Sequence, residues 1–206
     1  MAYRITRELL DEIVALALVA GEQIMAIYKT DFDVEHKADE SPLTAADMAA
    51  HRAIVAGLET LDASVPILSE ESGDAASWEE RRAWTHHWLV DPLDGTKEFV
   101  KKNGEFTVNI ALIEDGVATL GVVHVPARNE TYYAAKGIGA FKTEGGVERK
   151  IAVTRPAARP MRVAGSRSHG NDDTRRFIEN LGDTEVVSIG SALKLCLVAE
   201  GAVDVY

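Results

Sequence analysis

The sequence is short of cysteine, and this limits the class of protein. Cys196 is the only cysteine among the 206 residues, so these residues can form no internal disulfide. It stands among Leu195, Leu197 and Val198, a neighbourhood typical of a small buried side chain. Because disulfide frameworks belong to oxidising compartments, we expect a cytoplasmic protein.

The sequence also lacks a long hydrophobic run. The longest apolar stretch, 13–20, is far shorter than the roughly 20 residues that span a bilayer. Acidic residues (Asp11, Glu12 and Glu22) flank it, which is unlike the core of a signal peptide. We therefore expect no membrane span.

Basic residues are outnumbered, and the net charge of −11 argues against nucleic-acid polymers and anionic membranes as partners. The window 59–80 holds seven acids and no base, whereas 159–176 holds five arginines against two aspartates. Both windows are compatible with solvated surface. The alternative is a cation site built by the first window and an anion site built by the second.

With 46% apolar and 27% charged residues, the chain has the composition of one large globular domain or two small ones. Up to about residue 150, the periodicity predicts helices packed on an antiparallel sheet. The expected helices are 4–28 and 41–61, and the expected strands are 65–68, 86–90, 106–113, 117–125 and 130–135. A hairpin turn is expected at 114–116, between two of these strands. After Arg155-Pro156 the order is strand 161–164, helix 172–181, strand 186–189 and helix 191–200, which is typical of a parallel βαβα unit.

The segment DPLDGT (91–96) brings two aspartates together where a hydrophobic strand ends. Pro92 keeps Asp91 extended, and the turn at Leu93 lets Asp91 and Asp94 converge with the Leu93 carbonyl between them. Two carboxylates and a carbonyl are oxygen ligands that suit Mg²⁺. We expect a short helix to open at Asp94-Gly95-Thr96, where the backbone N–H groups of Gly95 and Thr96 are available for a phosphate oxygen. Taken alone, the segment is equally compatible with an ordinary surface turn.

Two further carboxylates favour the metal site. The pair Glu70-Glu71 follows the predicted strand 65–68, so a carboxylate there lies at a strand end and can join the same ion. Taken alone, such a pair is more typical of a solvated loop. Asp47 falls on the inward face of the second predicted helix, where an unpaired carboxylate is costly. We expect its partner to be a water on the metal or the Thr96 hydroxyl, and we interpret neighbouring His51 as a packing residue.

Five motifs occur in an order and at spacings that resemble the inositol monophosphatase-like superfamily of Mg²⁺-dependent, lithium-sensitive phosphatases. They are SPLTAAD (41–47), SEE (69–71), DPLDGT (91–96), GEFTVNIAL (104–112) and GSALK (190–194). The stretches 97–99, 166–169 and 188–191 look more like the 3′(2′),5′-bisphosphate nucleotidase branch than the inositol branch. The resemblance implies a layered αβαβα fold with a catalytic part (1–155) and a substrate-binding part (156–206).

The resemblance also implies a role for particular residues. The metal ligands would be Glu70, Asp91, the Leu93 carbonyl and Asp94. Asp47 and Thr96 would orient and activate the attacking water. The substrate residues would be Gly95, Thr96, Ser166, His169, Gly190 and Lys194. Arg167 and Lys194 would supply positive charge for a dianionic substrate, and an anion partner for Lys194 is favoured over a plain surface lysine.

The family pattern continues beyond Tyr206 with a strand and a helix that opens on a Trp-Asp pair, whose aspartate is another metal ligand. We therefore expect a functional product longer than 206 residues, with the substrate-binding part incomplete here. Asp204 does not stand in the expected motif, and we assign it no metal role.

The function implied is hydrolysis of the 3′-phosphate of adenosine 3′,5′-bisphosphate to AMP, within sulfur metabolism. Two or three Mg²⁺ ions, inhibition by lithium and a small phosphorylated nucleotide as substrate belong to this expectation, and a homodimer is compatible with it. One alternative is an inositol monophosphatase or related sugar-phosphate phosphatase. Another is a metal- and nucleotide-binding protein that turns over poorly because the last ligand is missing.

Overall fold

Two long helices form one outer layer of the protein, whose computed structural model describes residues 4–30, 42–72, 76–168 and 171–206. Helix α1 (Arg7–Tyr28) begins where the Thr6 side chain accepts a hydrogen bond from the Leu9 amide at 3.2 Å. Helix α2 (Pro42–Asp62) buries residues spaced four apart, namely Ala46, Ala50, Ile54 and Leu58. This spacing gives each helix one apolar face toward the sheet.

The second layer is a seven-stranded sheet in sequential order from β1 to β7. Its strands are β1 (Ile67–Ser69), β2 (His86–Asp94), β3 (Thr107–Glu114), β4 (Val117–Val125), β5 (Glu130–Ala135), β6 (Gly139–Glu144) and β7 (Val147–Lys150). Strands β1 and β2 are parallel and all other neighbours are antiparallel. Asp115 and Gly116 both have positive φ, at 48° and 77°, which gives the predicted tight hairpin between β3 and β4.

The main core lies between the helices and this sheet. Alternate residues of β2 and β3 point toward α1 and α2, and Trp88, Val90, Ile110 and Leu112 are at most 2% exposed. The opposite face of β2 carries Leu89, which is 44% exposed. Period-two burial therefore fixes which side chains of β2 face the core.

The last part of the chain forms a second, parallel pair of strands with helices. Strands β8 (Met161–Ser166) and β9 (Thr184–Ile189) pair in parallel, and α5 (Asp172–Asn180) connects them. Helix α6 (Leu193–Ala199) packs Leu193 and Cys196 into a smaller core with Val125 and Tyr132 of the large sheet. The predicted burial of Cys196 is confirmed, and α6 joins the two sheets.

The predicted layered α+β architecture is confirmed, but short elements were missed. Helices α3 (Trp78–Arg81) and α4 (Thr96–Val100) have one turn or little more, although the opening of α4 at Thr96 was expected. Strands β6 and β7 were not predicted. Every residue of β7 is exposed, so its sequence shows no apolar alternation. Within the described ranges, no helix is long and apolar enough to cross a membrane.

Candidate active site

Strand β2 ends in an irregularity that turns two aspartates to the same side. Asp91 pairs with Asn109 and Asp94 pairs with Thr107, so β2 has one residue more than β3 between these pairs. Residues three apart in a regular strand point to opposite faces, and the extra residue of a bulge cancels this alternation. Leu93, between the aspartates, is 1% exposed and anchors the bulge in the core.

The carboxylate of Asp91 sits in an unfavourable electrostatic environment. Its pKa is raised to about 7, firstly by burial and then by the negative charges of Asp94 and Glu70. Hydrogen bonds from the Leu93 backbone and the Asn109 side chain act in the opposite direction. The Oδ1 atom of Asp91 is buried and has no hydrogen-bond partner among the described residues. A buried, unpaired oxygen among like charges fits a bound cation.

Asp47 faces the same cluster from helix α2. Burial raises its pKa well above the usual range, and the adjacent Glu71 carboxyl, Asp91 and Glu70 raise it further. Its Oδ1 atom is also buried, and no hydrogen bond reaches it within the part of the chain that the structure describes. Thr96 is exposed at the start of α4, and among the described residues no hydrogen bond joins its side chain to Asp47. A water on the metal, the other expected partner of Asp47, stays a prediction.

Glu71 was missed as a member of this cluster. It lies in the single 3₁₀ turn Glu70–Ser72 that follows β1, so both glutamates of the pair stand beside the strand end. The sequence carried the signal in the SEE segment. The family resemblance implies one metal-ligating carboxylate in this segment, and therefore only Glu70 was predicted as a metal ligand.

These residues fit a hard cation by their chemistry, with Glu70, Asp91, Asp94 and the Leu93 carbonyl as the oxygen donors. Among the described side chains, no three Asp, Glu, His or Cys groups already converge into a closed metal site. Mutual repulsion keeps unneutralised carboxylates apart. Mg²⁺ usually retains several waters and binds substrate phosphate, so an all-protein cage is not required.

A cavity of about 400 Å³ lies next to Asp94, between the two sheets. Its walls include Asp94 and five of the predicted substrate residues: Gly95, Thr96, Ser166, Gly190 and Lys194. The structure thus brings together residues that are about 100 positions apart in the chain. His169, the sixth predicted substrate residue, lies outside the described residues.

Lys194 is a buried residue of this cavity, only 8% exposed. Its Nζ atom donates to the Ser191 carbonyl oxygen at 2.6 Å and lies 5.3 Å from the centre of the Tyr206 ring. The alternative of a plain surface lysine is therefore wrong. A buried ammonium group with one backbone acceptor keeps further N–H donors for an anion.

Arg167 makes its hydrogen bonds to other residues of the protein. Its Nε and Nη2 atoms each donate to the Glu105 carboxylate at 2.8 Å, and Nη2 also donates to the Ser188 carbonyl oxygen at 2.7 Å. Arg167 thus forms an ion pair within the protein, and its contribution of positive charge to substrate binding stays a prediction. Glu105 was not recognised as a functional residue from the sequence.

Other contacts tie the aspartate turn to the second sheet. The Ala192 amide donates to Asp94 Oδ2 at 2.6 Å, and the Ser168 hydroxyl donates to Glu98 Oε1 at 2.8 Å. Glu98 is only 3% exposed. The predicted metal ligand Asp94 therefore also holds the first residues before α6 in place.

His51 and Asp204, which we did not assign to the metal, both have structural partners. His51 Nδ1 lies 2.9 Å from the Ser69 hydroxyl. Asp204 accepts two hydrogen bonds of 3.0 Å from the Arg162 guanidinium, which holds the pKa of Asp204 well below its usual range.

The protein combines a layered α+β fold, a carboxylate cluster at a strand end and a neighbouring cavity that contains a lysine. This combination is typical of a class of enzymes that act on phosphate esters. The family model named "Inositol monophosphatase family" matches residues 6–206. The chain belongs to the inositol monophosphatase family, and the resemblance seen in its motifs is confirmed.

Within this family, the chain is similar to several individual proteins. The chain is 52% identical over 200 residues to the 3′(2′),5′-bisphosphate nucleotidase CysQ of Escherichia coli (strain K12), covering 96% of this chain and 79% of the relative. Among solved structures, CysQ from Bacteroides thetaiotaomicron is 40% identical, with a TM-score of 0.83 over 94% of this chain and 77% of that one. The IMPase of Thermotoga maritima is 31% identical, with a TM-score of 0.74 over 95% and 74% of the two chains.

Proposed function

We propose that this protein is a Mg²⁺-dependent phosphatase that hydrolyses the 3′-phosphate of adenosine 3′,5′-bisphosphate, giving AMP and phosphate. The observation that carries the proposal is the carboxylate cluster at the end of β2. Asp47 and Asp91 have buried Oδ1 atoms there, and the nearby Asp94 lines the same cavity as Lys194. Identity of 52% to a relative named 3′(2′),5′-bisphosphate nucleotidase supports this substrate class.

In this proposal Glu70, Asp91, Asp94 and the Leu93 carbonyl hold Mg²⁺. When bound, Mg²⁺ neutralises the phosphoryl oxygens and lowers the pKa of water. Asp47 is suited to accept a proton at its unpartnered Oδ1 atom, because burial and like charges favour its protonated form. Thr96, at the cavity wall, orients the attacking water through its hydroxyl group.

Substrate recognition is assigned to the walls of the cavity. The Lys194 ammonium offers charge-assisted hydrogen bonds to a second phosphate, and Ser166 and Gly190 shape the same wall. The catalytic part would be residues 1–155 and the substrate-binding part 156–206. Two or three metal ions and inhibition by lithium are further parts of the proposal and rest on the family resemblance. The proposed cytoplasmic location rests on the single cysteine, and a homodimer is compatible with the proposal.

The test compares initial rates on adenosine 3′,5′-bisphosphate and inositol 1-phosphate in Mg²⁺, with separation of 5′-AMP from 3′-AMP. We expect a higher kcat/KM for the bisphosphate, 5′-AMP as the product, and no turnover in excess EDTA. Lys194→Met should raise KM for the bisphosphate more than tenfold, since one charged contact to phosphate is lost. The exposed Lys136→Met is the matched control.

Higher kcat/KM for inositol 1-phosphate would replace the proposed substrate with the inositol alternative. Undiminished rates in EDTA would overturn the metal assignment. Binding of the bisphosphate without turnover of any phosphate ester would favour the weakly catalytic binding protein.

A further inference from the structure

The Glu105 side chain is the centre of a buried ionic contact between the two sheets. Its carboxylate is 9% exposed and accepts two hydrogen bonds from Arg167, each 2.8 Å long. The Gly190 amide donates to the same carboxylate at 2.8 Å, and Arg128 Nη2 lies 3.6 Å away. These donors lower the pKa of Glu105 against the opposing effect of its burial.

The same residue touches the aspartate turn through its main chain. Gly95 has φ of +93°, and a Cβ added there would lie 2.9 Å from the Glu105 carbonyl oxygen. Phe106, the next residue, is fully buried and fixes this stretch in the main core. Glu105 therefore contacts the turn at Gly95 with its backbone and the loop at Gly190 with its carboxylate.

Both of these glycines line the cavity, and Glu105 lies behind them. Arg167 extends the contact, because it also donates to the Ser188 carbonyl oxygen, two residues before Gly190. A bidentate arginine–carboxylate pair fixes direction as well as distance. The loop 188–192 is thus held in a defined position relative to Asp94.

We propose that Glu105 is a positioning residue for substrate specificity, which sets the loop 188–192 against the turn that carries Asp94. It acts through Arg167 and Gly190 rather than by touching the substrate. The inference rests on the proposed function, because it concerns how the second phosphate and the nucleoside are placed. A small phosphate ester that does not reach this loop depends less on Glu105.

The experiment measures kcat and KM for adenosine 3′,5′-bisphosphate and for para-nitrophenyl phosphate in Glu105→Ala and Glu105→Gln. The ratio is kcat/KM for the bisphosphate divided by kcat/KM for para-nitrophenyl phosphate. It should fall at least tenfold in Glu105→Ala, mainly because KM for the bisphosphate rises. Glu105→Gln keeps an acceptor for the Gly190 amide and should restore part of the ratio. Glu148→Gln, which breaks the distant ion pair with Arg7, is the matched control and should change the ratio less than twofold.

A double variant tests the route of the effect. If Glu105 acts through Arg167, adding Arg167→Met to Glu105→Ala should lower the ratio by less than the product of the single effects. Equal losses on both substrates with a lower Tm would show a purely structural role and overturn the proposal. If Glu105→Ala fails to fold, Glu105→Gln and Arg167→Lys carry the same comparison.

Failure of the proposed function gives a different result. Wild-type protein would then hydrolyse para-nitrophenyl phosphate but not the bisphosphate. The ratio would be measured with the larger phosphate ester that the wild type prefers, and an unchanged ratio in Glu105→Ala would still overturn the positioning role.

Discussion

The stability of the protein should fall in mild acid because a neutral histidine is buried under helix α1. His124 on β4 is 4% exposed, and its Nδ1 atom lies 2.9 Å from the Thr131 hydroxyl and 3.0 Å from the Glu130 carbonyl oxygen. A Cβ added at Gly21 would lie 2.6 Å from the His124 ring, so α1 covers the imidazole closely. Burial lowers the pKa of His124 to about 4.

The size of the effect follows from this pKa and the ordinary value of 6.5. The unfolded chain takes up a proton below pH 6.5, while the folded protein resists it down to about pH 4. The contribution of neutral His124 to the free energy of unfolding is therefore fully present above pH 6.5. This contribution is lost as the pH falls from 6.5 to about 4. Linkage gives a loss of about 2 kcal/mol at pH 5 and about 3.4 kcal/mol below pH 4.

Urea unfolding at pH 7.5 and pH 5.0 measures this loss, with His124→Gln as the reference without the titrating group. Wild type should lose about 2 kcal/mol more than the variant between these pH values, equivalent to roughly 0.7–1 M in the urea midpoint. Carboxylates titrate in both proteins, so their contribution cancels in the comparison. An equal loss in the two proteins would refute the assignment of a buried, neutral His124.

Two further predictions concern the active site. Asp91→Asn and Asp94→Asn should each lower the Mg²⁺-dependent rate by about 10²–10³ or more while the protein stays folded by circular dichroism; a near wild-type rate in either variant would contradict the metal assignment. Gly190→Ala should raise KM for the bisphosphate about tenfold, because its Cβ would lie 2.5 Å from Glu98 Cγ and the loop must move. Gly121→Ala, whose Cβ meets nothing within 4 Å, is the control, and an equal KM in both variants would contradict the close packing at Gly190.

The sequence was sufficient to predict the elements that have a clear hydrophobic period. Strands β4 and β5 have the predicted bounds, and the first helix begins three residues later than predicted. These elements bury one face or one stripe, and that burial is written in the spacing of their apolar residues. Strand β7 has no buried residue and therefore left no such pattern.

The candidate metal site was also largely predictable, because its residues are close together in the chain or follow strands directly. Asp91, Leu93 and Asp94 belong to one turn, and Glu70 stands at the end of the neighbouring parallel strand. The bulge that turns both aspartates to one side was not predictable from the residue types alone. It is visible only in the register between β2 and β3.

Only the tertiary structure revealed how the two sheets are held together at the cavity. The contacts of Glu105 with Arg167, Glu98 with Ser168 and Asp94 with Ala192 join residues 62, 70 and 98 positions apart. Local sequence determines propensity and periodicity over a few residues, but it does not specify which distant charges become partners. Glu98 and Glu105 are buried in the folded protein, and burial makes a hydrogen-bond partner for each carboxylate necessary.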